Sequence, residues 1–280
     1  MVKFMKKKNQ YFVYTISGMW LIPYLLTVVV NGMDTVIMKK EPGIEEVLPV
    51  IVSFQIADEY EDETLAAQSV VARSNLYRKI EQKEKTLDMV SELYDESRQW
   101  NILHNLLRYE NAVEETKDHV LTVEGELKLV PYHEMSAGRT RDGQEVLHNS
   151  EYSYLKSVES NTDKDSADYL SSIYVSEQQL PEELKINERD SSGYVLSMTA
   201  DENILEGEAF SSGLGLASSN FSMQNLGDQV RFLCKGKGHG LGFSQYGGNE
   251  MAKEGNNWKE ILEKYFPEME ITVYNEENKV

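Results

Sequence analysis

The sequence contains a single cysteine, Cys234, among its 280 residues. One cysteine excludes a disulfide within the chain, and no CxxC pair or Cys/His set of the kind that holds zinc is present. We therefore predict that Cys234 is a packed thiol, and the sequence assigns no metal and no cofactor.

Basic residues are also scarce, with 28 Lys and Arg against 47 Asp and Glu, a net charge of −19. Residues 1–40 hold six of the lysines and one aspartate, which leaves 22 basic and 46 acidic residues beyond them, a net charge of −24. A surface of that sign repels phosphate backbones, so nucleic acid is an unsuitable partner. An uncharged or zwitterionic polymer remains compatible with this charge.

Charge is absent altogether from Asn9 to Met33, and four lysines lie just before this stretch. About 20 apolar residues can span a bilayer as a helix, and membrane helices tolerate a proline such as Pro23. The lysines favour the cytoplasmic side, which places residues 34–280 outside the cell. The alternative is a cleaved signal peptide, although residues 28–32 make a poor cleavage site. We predict a single-pass membrane protein with an extracytoplasmic C-terminal domain.

The remaining sequence predicts an α+β domain, because helical and strand patterns occupy separate parts of the chain. The predicted organisation is a tip and anchor at 1–33, a linker at 34–43, a domain at 44–270 with a long substrate cleft, and a tail at 271–280. Apolar periodicity predicts helices at 58–80, 87–113 and 257–265, with a helix fragment at 176–186. Strands are expected at 120–123, 127–130 and 194–198, and residues 44–53 fit a strand or a short helix.

The segment Gly236–Gly248 contains six glycines in thirteen positions. Glycine permits positive φ angles and the close approach of another chain. Polar side chains suited to lining a groove for a polyhydroxylated polymer lie along it: His239, Ser244, Gln245 and Tyr246. The alternative is a simple turn between a strand and a helix. A phosphate-binding loop is excluded, because no Gly-Lys-Ser/Thr ending is present.

This segment resembles the signature of the stage II sporulation protein D family, which includes the amidase-enhancer proteins. Other stretches are similar to that family in the same order, covering about residues 45–266. They are the helix at 63–73, the His-containing loop at 131–140, the Tyr-x-Lys segment at 154–160, the stretch at 213–221 and the closing helix at 258–265.

The resemblance implies a lytic transglycosylase that cleaves peptidoglycan glycan strands stripped of stem peptides. It also implies a partner, a wall amidase or endopeptidase, during engulfment in sporulating bacteria. Such an enzyme needs one carboxylic acid to protonate the leaving oxygen. A second carboxylate is dispensable, because the sugar's own 6-hydroxyl closes an anhydro ring.

Gln55 stands where the family carries its catalytic glutamate, eighteen residues before Arg73. Glutamine has the shape of glutamate but cannot donate a proton to a leaving group. Three readings remain open: a binding-only homologue, catalysis by Asp58 or Glu59, or a sequence engineered as a trap. The simpler role for Asp58 and Glu59 is negative charge at a helix N-terminus.

The resemblance also suggests substrate contacts by Arg73, His133, Tyr154 and Lys156. We expect Arg73 to face the Gln55 side of the cleft, unless it is an exposed helix arginine. Tyr154 and Lys156 are expected to alternate along an extended segment, where sugar hydroxyls or simply solvent would meet them. Some relatives hold zinc through cysteines near the position of His133, but this chain has no cysteine there.

Overall fold

The computed structural model describes residues 43–82 and 106–274. Within these two ranges no helix is both long and apolar enough to cross a membrane. The predicted anchor, most of the linker and much of the helix predicted at 87–113 lie outside the described residues. The boundaries predicted for the domain and the tail therefore stay predictions.

Three helices build the first half of the fold: α1 (Ile44–Gln55), α2 (Asp62–Glu81) and α3 (Leu106–Glu115). Helix α2 is central, because its small residues let other elements approach from several sides, and Ala66, Ala67 and Ala72 are all buried. The residues at 44–53, which fitted either a strand or a helix, are helical. Helix α2 packs against α1, α3 and the C-terminal helices, so its position fixes theirs.

The helix predicted at 58–80 begins four residues later than expected, at Asp62. The carbonyl oxygens of Asp58 and Tyr60 accept hydrogen bonds from the Arg108 guanidinium. Both carbonyls are therefore hydrogen-bonded to a side chain from a distant part of the sequence. Residues 58–60 form a turn instead of the first turn of the helix. Asp58 and Glu59 consequently lie before the helix, and the acidic residues of its first turn are Asp62 and Glu63.

Short strands complete the helical half of the fold. Strands β1 (His119–Val123) and β2 (Glu126–Leu127) form a sheet with the last strand, β11 (Glu270–Val273), in the order β11-β1-β2. A two-residue strand, β3 (Tyr132–His133), is followed by the one-turn helix α4 (Gly143–Leu147). Because β2 ends at Leu127, residues 128–130 of the strand predicted at 127–130 form a loop.

A second group of strands has its own core. It comprises β4 (Leu170–Ser176), β5 (Leu184–Arg189), β6 (Val195–Ala200), β7 (Asn203–Glu206), β8 (Phe221–Asn225) and β9 (Gln229–Lys235), with helix α5 (Gly207–Leu214) between β7 and β8. Two antiparallel sheets form, β4-β9-β8 and β5-β6-β7. Phe210, Phe221 and Phe232 meet in the core between them, and Cys234 is buried there as predicted. The helix fragment predicted at 176–186 is wrong: a 3₁₀ turn and strand β5 occupy that stretch.

The Gly-rich segment connects these strands to the last helices. The segment contains strand β10 (Phe243–Ser244), which pairs in parallel with β3, and its last four residues form the start of helix α6 (Gln245–Lys253). Helix α7 (Trp258–Tyr265) follows, close to the predicted 257–265. The mixed helix-and-sheet class expected from the sequence is confirmed.

Candidate functional site

Three glutamines from three helices meet at the centre of the candidate site. Gln55 is the last residue of α1, Gln68 lies in the middle of α2, and Gln245 is the first residue of α6. The Gln68 amide nitrogen donates to the side-chain oxygen of Gln55 over 2.8 Å. The Gln245 amide nitrogen donates to the side-chain oxygen of Gln68 over 3.1 Å and to the backbone oxygen of Gln55 over 2.8 Å. We call this set the amide chain.

The orientation of each side-chain amide in the amide chain follows from the hydrogen bond between Gln245 and the backbone carbonyl of Gln55. A backbone carbonyl can only accept, so Gln245 must present its NH₂ group to the Gln55 carbonyl. The same NH₂ group requires an oxygen from Gln68, and Gln68 then presents its own NH₂ group to Gln55. The side-chain oxygen of Gln55 is therefore the acceptor, and its Nε2 becomes the free end of the side chain.

The free end of Gln55 is a hydrogen-bond donor without a partner among residues 43–82 and 106–274. Gln68 and Gln245 are buried, whereas Gln55 is partly exposed. A protonated glutamic acid at position 55 would fit the same surroundings, because one oxygen would accept from Gln68 and the other would carry the proton. Gln55 therefore reproduces the hydrogen-bonding pattern of the acid in its protonated state but holds no proton that it can transfer.

The Gly-rich segment approaches other backbone more closely than a side chain would allow. Its glycines at 236, 238, 240 and 242 all have positive φ angles. A Cβ atom on Gly242 would lie 2.2 Å from the backbone oxygen of Pro131, and one on Gly240 would lie 2.6 Å from the Tyr194 ring. The alternation of glycines thus lets this segment pack against the loop that follows β2.

Arg141 ties the same segment to the second group of strands. Its side chain is 1% exposed, forms ion pairs with Asp190 and Glu208, and lies 4.7 Å above the centre of the Tyr194 ring. Its guanidinium also donates to the backbone oxygen of His239 over 3.1 Å. A buried guanidinium needs such partners, because an unpaired charge in the interior is costly.

Asp163 is a fully buried carboxylate behind the start of α6. It accepts hydrogen bonds from the backbone and hydroxyl of Ser136 and from the hydroxyl of Ser244, over 2.8, 2.5 and 2.9 Å. Burial raises the pKa of Asp163, and the hydrogen bonds from Ser136 and Ser244 oppose that rise. The Ser244 hydroxyl also accepts from the Gly247 amide and so caps helix α6. Asp163 therefore holds the beginning of the helix that carries Gln245.

Tyr246 directly follows Gln245 and belongs to a set of exposed or partly exposed polar residues that we call the Gln55 surface: Gln55, Tyr60, Glu134, Lys237 and Tyr246. The Tyr246 amide donates to the Glu134 backbone oxygen over 2.9 Å, and the Glu134 carboxylate pairs with Lys237 over 2.7 Å. Burial raises the pKa of Tyr60, and the nearby carboxylates of Glu134 and Glu59 raise it further. Tyr60 therefore keeps its hydroxyl proton at neutral pH and can donate a hydrogen bond to an oxygen of a ligand.

His133 lies in the interior rather than on this surface. Its Nδ1 lies 2.9 Å from the backbone oxygen of Leu241, and its Nε2 is buried without a partner among the described residues. Burial lowers the pKa of His133 to about 3, and the neighbouring His239 contributes in the same direction. Burial also lowers the pKa of His239, whose Nδ1 accepts from the Leu241 amide over 3.1 Å. Both imidazoles are therefore neutral at pH 7.

Arg73 is fully buried, unlike the cleft-facing or exposed arginine expected from the sequence. Its guanidinium pairs with Glu45 over 2.8 Å and donates to the backbone oxygens of Val113 and Thr116. These contacts join α1, α2 and the end of α3. Arg73 thus supports the helices that carry Gln55 and Gln68, and this placement favours a structural role over contact with a glycan.

Tyr154 and Lys156 do not alternate along a strand as predicted. Tyr154 lies in a turn, is 6% exposed, and donates its hydroxyl to the backbone oxygen of Leu129 over 2.9 Å. Lys156 follows in an irregular, partly exposed segment. The extended geometry is prevented because the Leu155 and Lys156 amides bond back to Tyr152 and Tyr154.

The structure thus brings two of the predicted residues, Gln55 and Gln245, into direct contact. It buries Ser244 in the scaffold and leaves His239 and Tyr246 partly exposed. Substrate contact by the predicted residues stays a prediction. Sequence reasoning missed Gln68 and Asp163. Gln68 lies inside the quoted helix motif thirteen residues after Gln55, and Asp163 lies in a stretch that looked like an acidic, Ser-rich loop.

Comparisons with known proteins agree with the resemblance found in the sequence. Residues 22–123 match the sequence profile of a family described as Stage II sporulation protein. Stage II sporulation protein D of Bacillus amyloliquefaciens is 27% identical over 255 residues, covering 82% of this chain and 74% of that protein. The protein of the same name from Bacillus subtilis strain 168 is 26% identical over the same shares. An uncharacterised protein of Brachyspira hyodysenteriae is 24% identical over 95% of this chain and 76% of its own length.

Proposed function

We propose that this chain is a sporulation-related member of the stage II sporulation protein D family, which it resembles over most of its length, and that it binds peptidoglycan glycan strands without cleaving them. In this proposal the domain lies outside the cytoplasmic membrane, held by the apolar segment at 9–33. The strands it takes are those stripped of stem peptides. A wall amidase or endopeptidase that prepares such strands is the partner we propose for it.

The observation that carries this proposal is the amide chain around Gln55. Gln68 donates to the side-chain oxygen of residue 55, and this oxygen is present in glutamine and glutamate alike. The Gln55 free end is a donor, as a protonated acid would be. The surroundings therefore accept either residue without rearrangement, which supports a binding site that has kept its form and lost its transferable proton.

Cleavage of a glycosidic bond needs more than binding. The departing sugar oxygen must receive a proton, and the amide of Gln55 cannot supply one at neutral pH. A positioned general acid typically contributes about 10²–10⁴ in rate. Without it, the hydrogen bonds of the Gln55 surface can still hold sugar hydroxyls and N-acetyl groups, so that a bound strand is retained.

Asp58 and Glu59 offer an alternative source of the proton. Both lie in the turn between α1 and α2, and Glu59 acts electrostatically on Tyr60 within the Gln55 surface. If one of them supplied the acid, the natural chain would be a lytic transglycosylase despite Gln55. The proposed experiment separates the two functions.

The full-length chain in detergent is incubated with peptide-free glycan strands, and 1,6-anhydro-muramic ends are counted by mass spectrometry. We expect binding without new ends for the natural chain. Gln55→Glu should form ends at least about 10²-fold faster, because it restores the acid. Gln144→Glu, at an exposed position on α4, is the matched control and should stay inactive. New ends from the natural chain would overturn the binding-only proposal and direct attention to Asp58 and Glu59.

A further inference from the structure

The hydrogen bonds of the amide chain indicate a role for two of its members, Gln68 and Gln245. Gln68 is fully buried and Gln245 is 4% exposed, so neither amide relies on solvent for its hydrogen bonds. Burying a primary amide is costly unless its groups are hydrogen-bonded. Gln68 donates to the side-chain oxygen of Gln55 over 2.8 Å, and Gln245 donates to the Gln55 backbone oxygen over 2.8 Å and to the Gln68 side-chain oxygen over 3.1 Å.

We propose that Gln68 and Gln245 are positioning residues that fix which atom of residue 55 is its free end. Gln245 is anchored by a backbone carbonyl that can only accept, and it sets the orientation of Gln68. Gln68 in turn occupies one oxygen of residue 55. The proton of an acid at this position would therefore have to lie on the other oxygen, the one at the free end.

This proposal rests on the proposed function in one respect, namely that residue 55 contacts the glycan. The hydrogen bonds themselves make a separate prediction about the charge at this position. A hydrogen bond donated to a carboxylate favours its ionised form and lowers its pKa. Loss of the Gln68 donor must therefore raise the pKa of a glutamate placed at position 55. A role in packing alone would leave that pKa unchanged.

The test is a ¹³C NMR titration of the carboxyl group at position 55 in full-length Gln55→Glu. Gln68→Met is then added, since methionine has a similar size and shape but no donor. We expect the pKa at position 55 to rise by about one unit or more. Gln144→Met in the same background is the matched control, because Gln144 is exposed on α4, and it should leave the titration unchanged.

Gln245→Met provides a second variant in case Gln68→Met disturbs folding. It removes the anchor and frees the Gln68 amide to rotate, so the pKa should rise by a smaller amount. An unchanged pKa in both variants would overturn the positioning role. The titration does not depend on activity: if Gln55→Glu forms no anhydro ends, the proposed function fails while the positioning role can still be supported or overturned.

Discussion

At the scale of single residues, Gly247 is the glycine with the least room in the site. A Cβ atom there would lie 2.1 Å from the Tyr265 hydroxyl, 2.3 Å from the Ser160 hydroxyl and 2.8 Å from the Asp163 carboxylate. All three groups are buried, and the Ser160 and Tyr265 hydroxyls share a hydrogen bond of 2.7 Å, so these groups cannot move away without disturbing a polar cluster. Overpacking of this kind typically costs about 1–3 kcal/mol.

We therefore expect Gly247→Ala to lower the free energy of unfolding by at least about 1 kcal/mol. Gly213→Ala is the matched control, because Gly213 lies in helix α5 with nothing within 4 Å of its missing Cβ. Alanine at that helical position should be neutral or stabilising by up to about 1 kcal/mol. Urea titrations followed by circular dichroism measure both. Equal effects of the two substitutions would contradict the crowding around Gly247.

Single residues also show how far the sequence alone could reach. Gln55 could be found by counting back from Arg73 along a motif, because spacing along a chain is visible in a sequence. Gln68 and Asp163 could not be assigned a role, because Gln245 and Ser244, which they contact, are 177 and 81 residues away in the sequence. The burial of Arg73 was hidden for the same reason, since its acceptors are backbone oxygens of another helix.

At the scale of elements, helix α7 is held by a complete set of N-terminal caps. The Asn257 side chain accepts from the amides of Lys259 and Glu260, and the Glu260 side chain accepts from the Asn257 amide. The remaining amide, that of Trp258, donates to Glu63 of helix α2 over 2.8 Å. The caps therefore stabilise α7 and also join it to the central helix.

We expect Asn257→Ala to lower the free energy of unfolding by about 1 kcal/mol, the usual effect of removing an N-cap side chain. Asn256→Ala is the neighbouring control, because the Asn256 side chain forms no hydrogen bond with the described part of the chain. It should change stability by less than about 0.5 kcal/mol. Thermal melting compares the two. A loss of stability in the control equal to that in Asn257→Ala would argue against the capping box.

Elements were predictable where local signals and tertiary contacts agree. The closing helix was found almost to the residue, since Asn257 is a cap visible in the sequence. The start of α2 was placed too early, because Arg108 binds the carbonyls at 58 and 60 from a distant position. The helix fragment predicted at 176–186 includes residues 184–186, which pairing with β6 makes part of a strand. In each miss a long-range contact decided the local conformation.

At the scale of the whole molecule, the pH dependence of stability combines two opposite contributions. The folded-state pKa of Asp163 is raised by burial, so this group makes stability fall as pH rises above the ordinary value of aspartic acid. The folded-state pKa of His133 is lowered to about 3, from an ordinary value near 6.5. Between these two pH values the unfolded chain binds more protons at His133, so stability is lost as pH falls from about 6.5 toward 3.

His133→Gln isolates the histidine contribution, because Asp163 is present in both chains and its effect cancels in the difference. We expect the natural chain to lose more stability than the variant between pH 6.5 and 4, by up to about 1.4 kcal/mol per pH unit for one proton. His148→Asn is the matched control: His148 is exposed, and asparagine tolerates its positive φ of 51°. Urea midpoints across this pH range provide the measurement. If stability depends on pH in the same way in the natural chain and in His133→Gln, His133 is not held neutral in the folded state. The junction between the Gly-rich segment and β3 would then accommodate a charged imidazole.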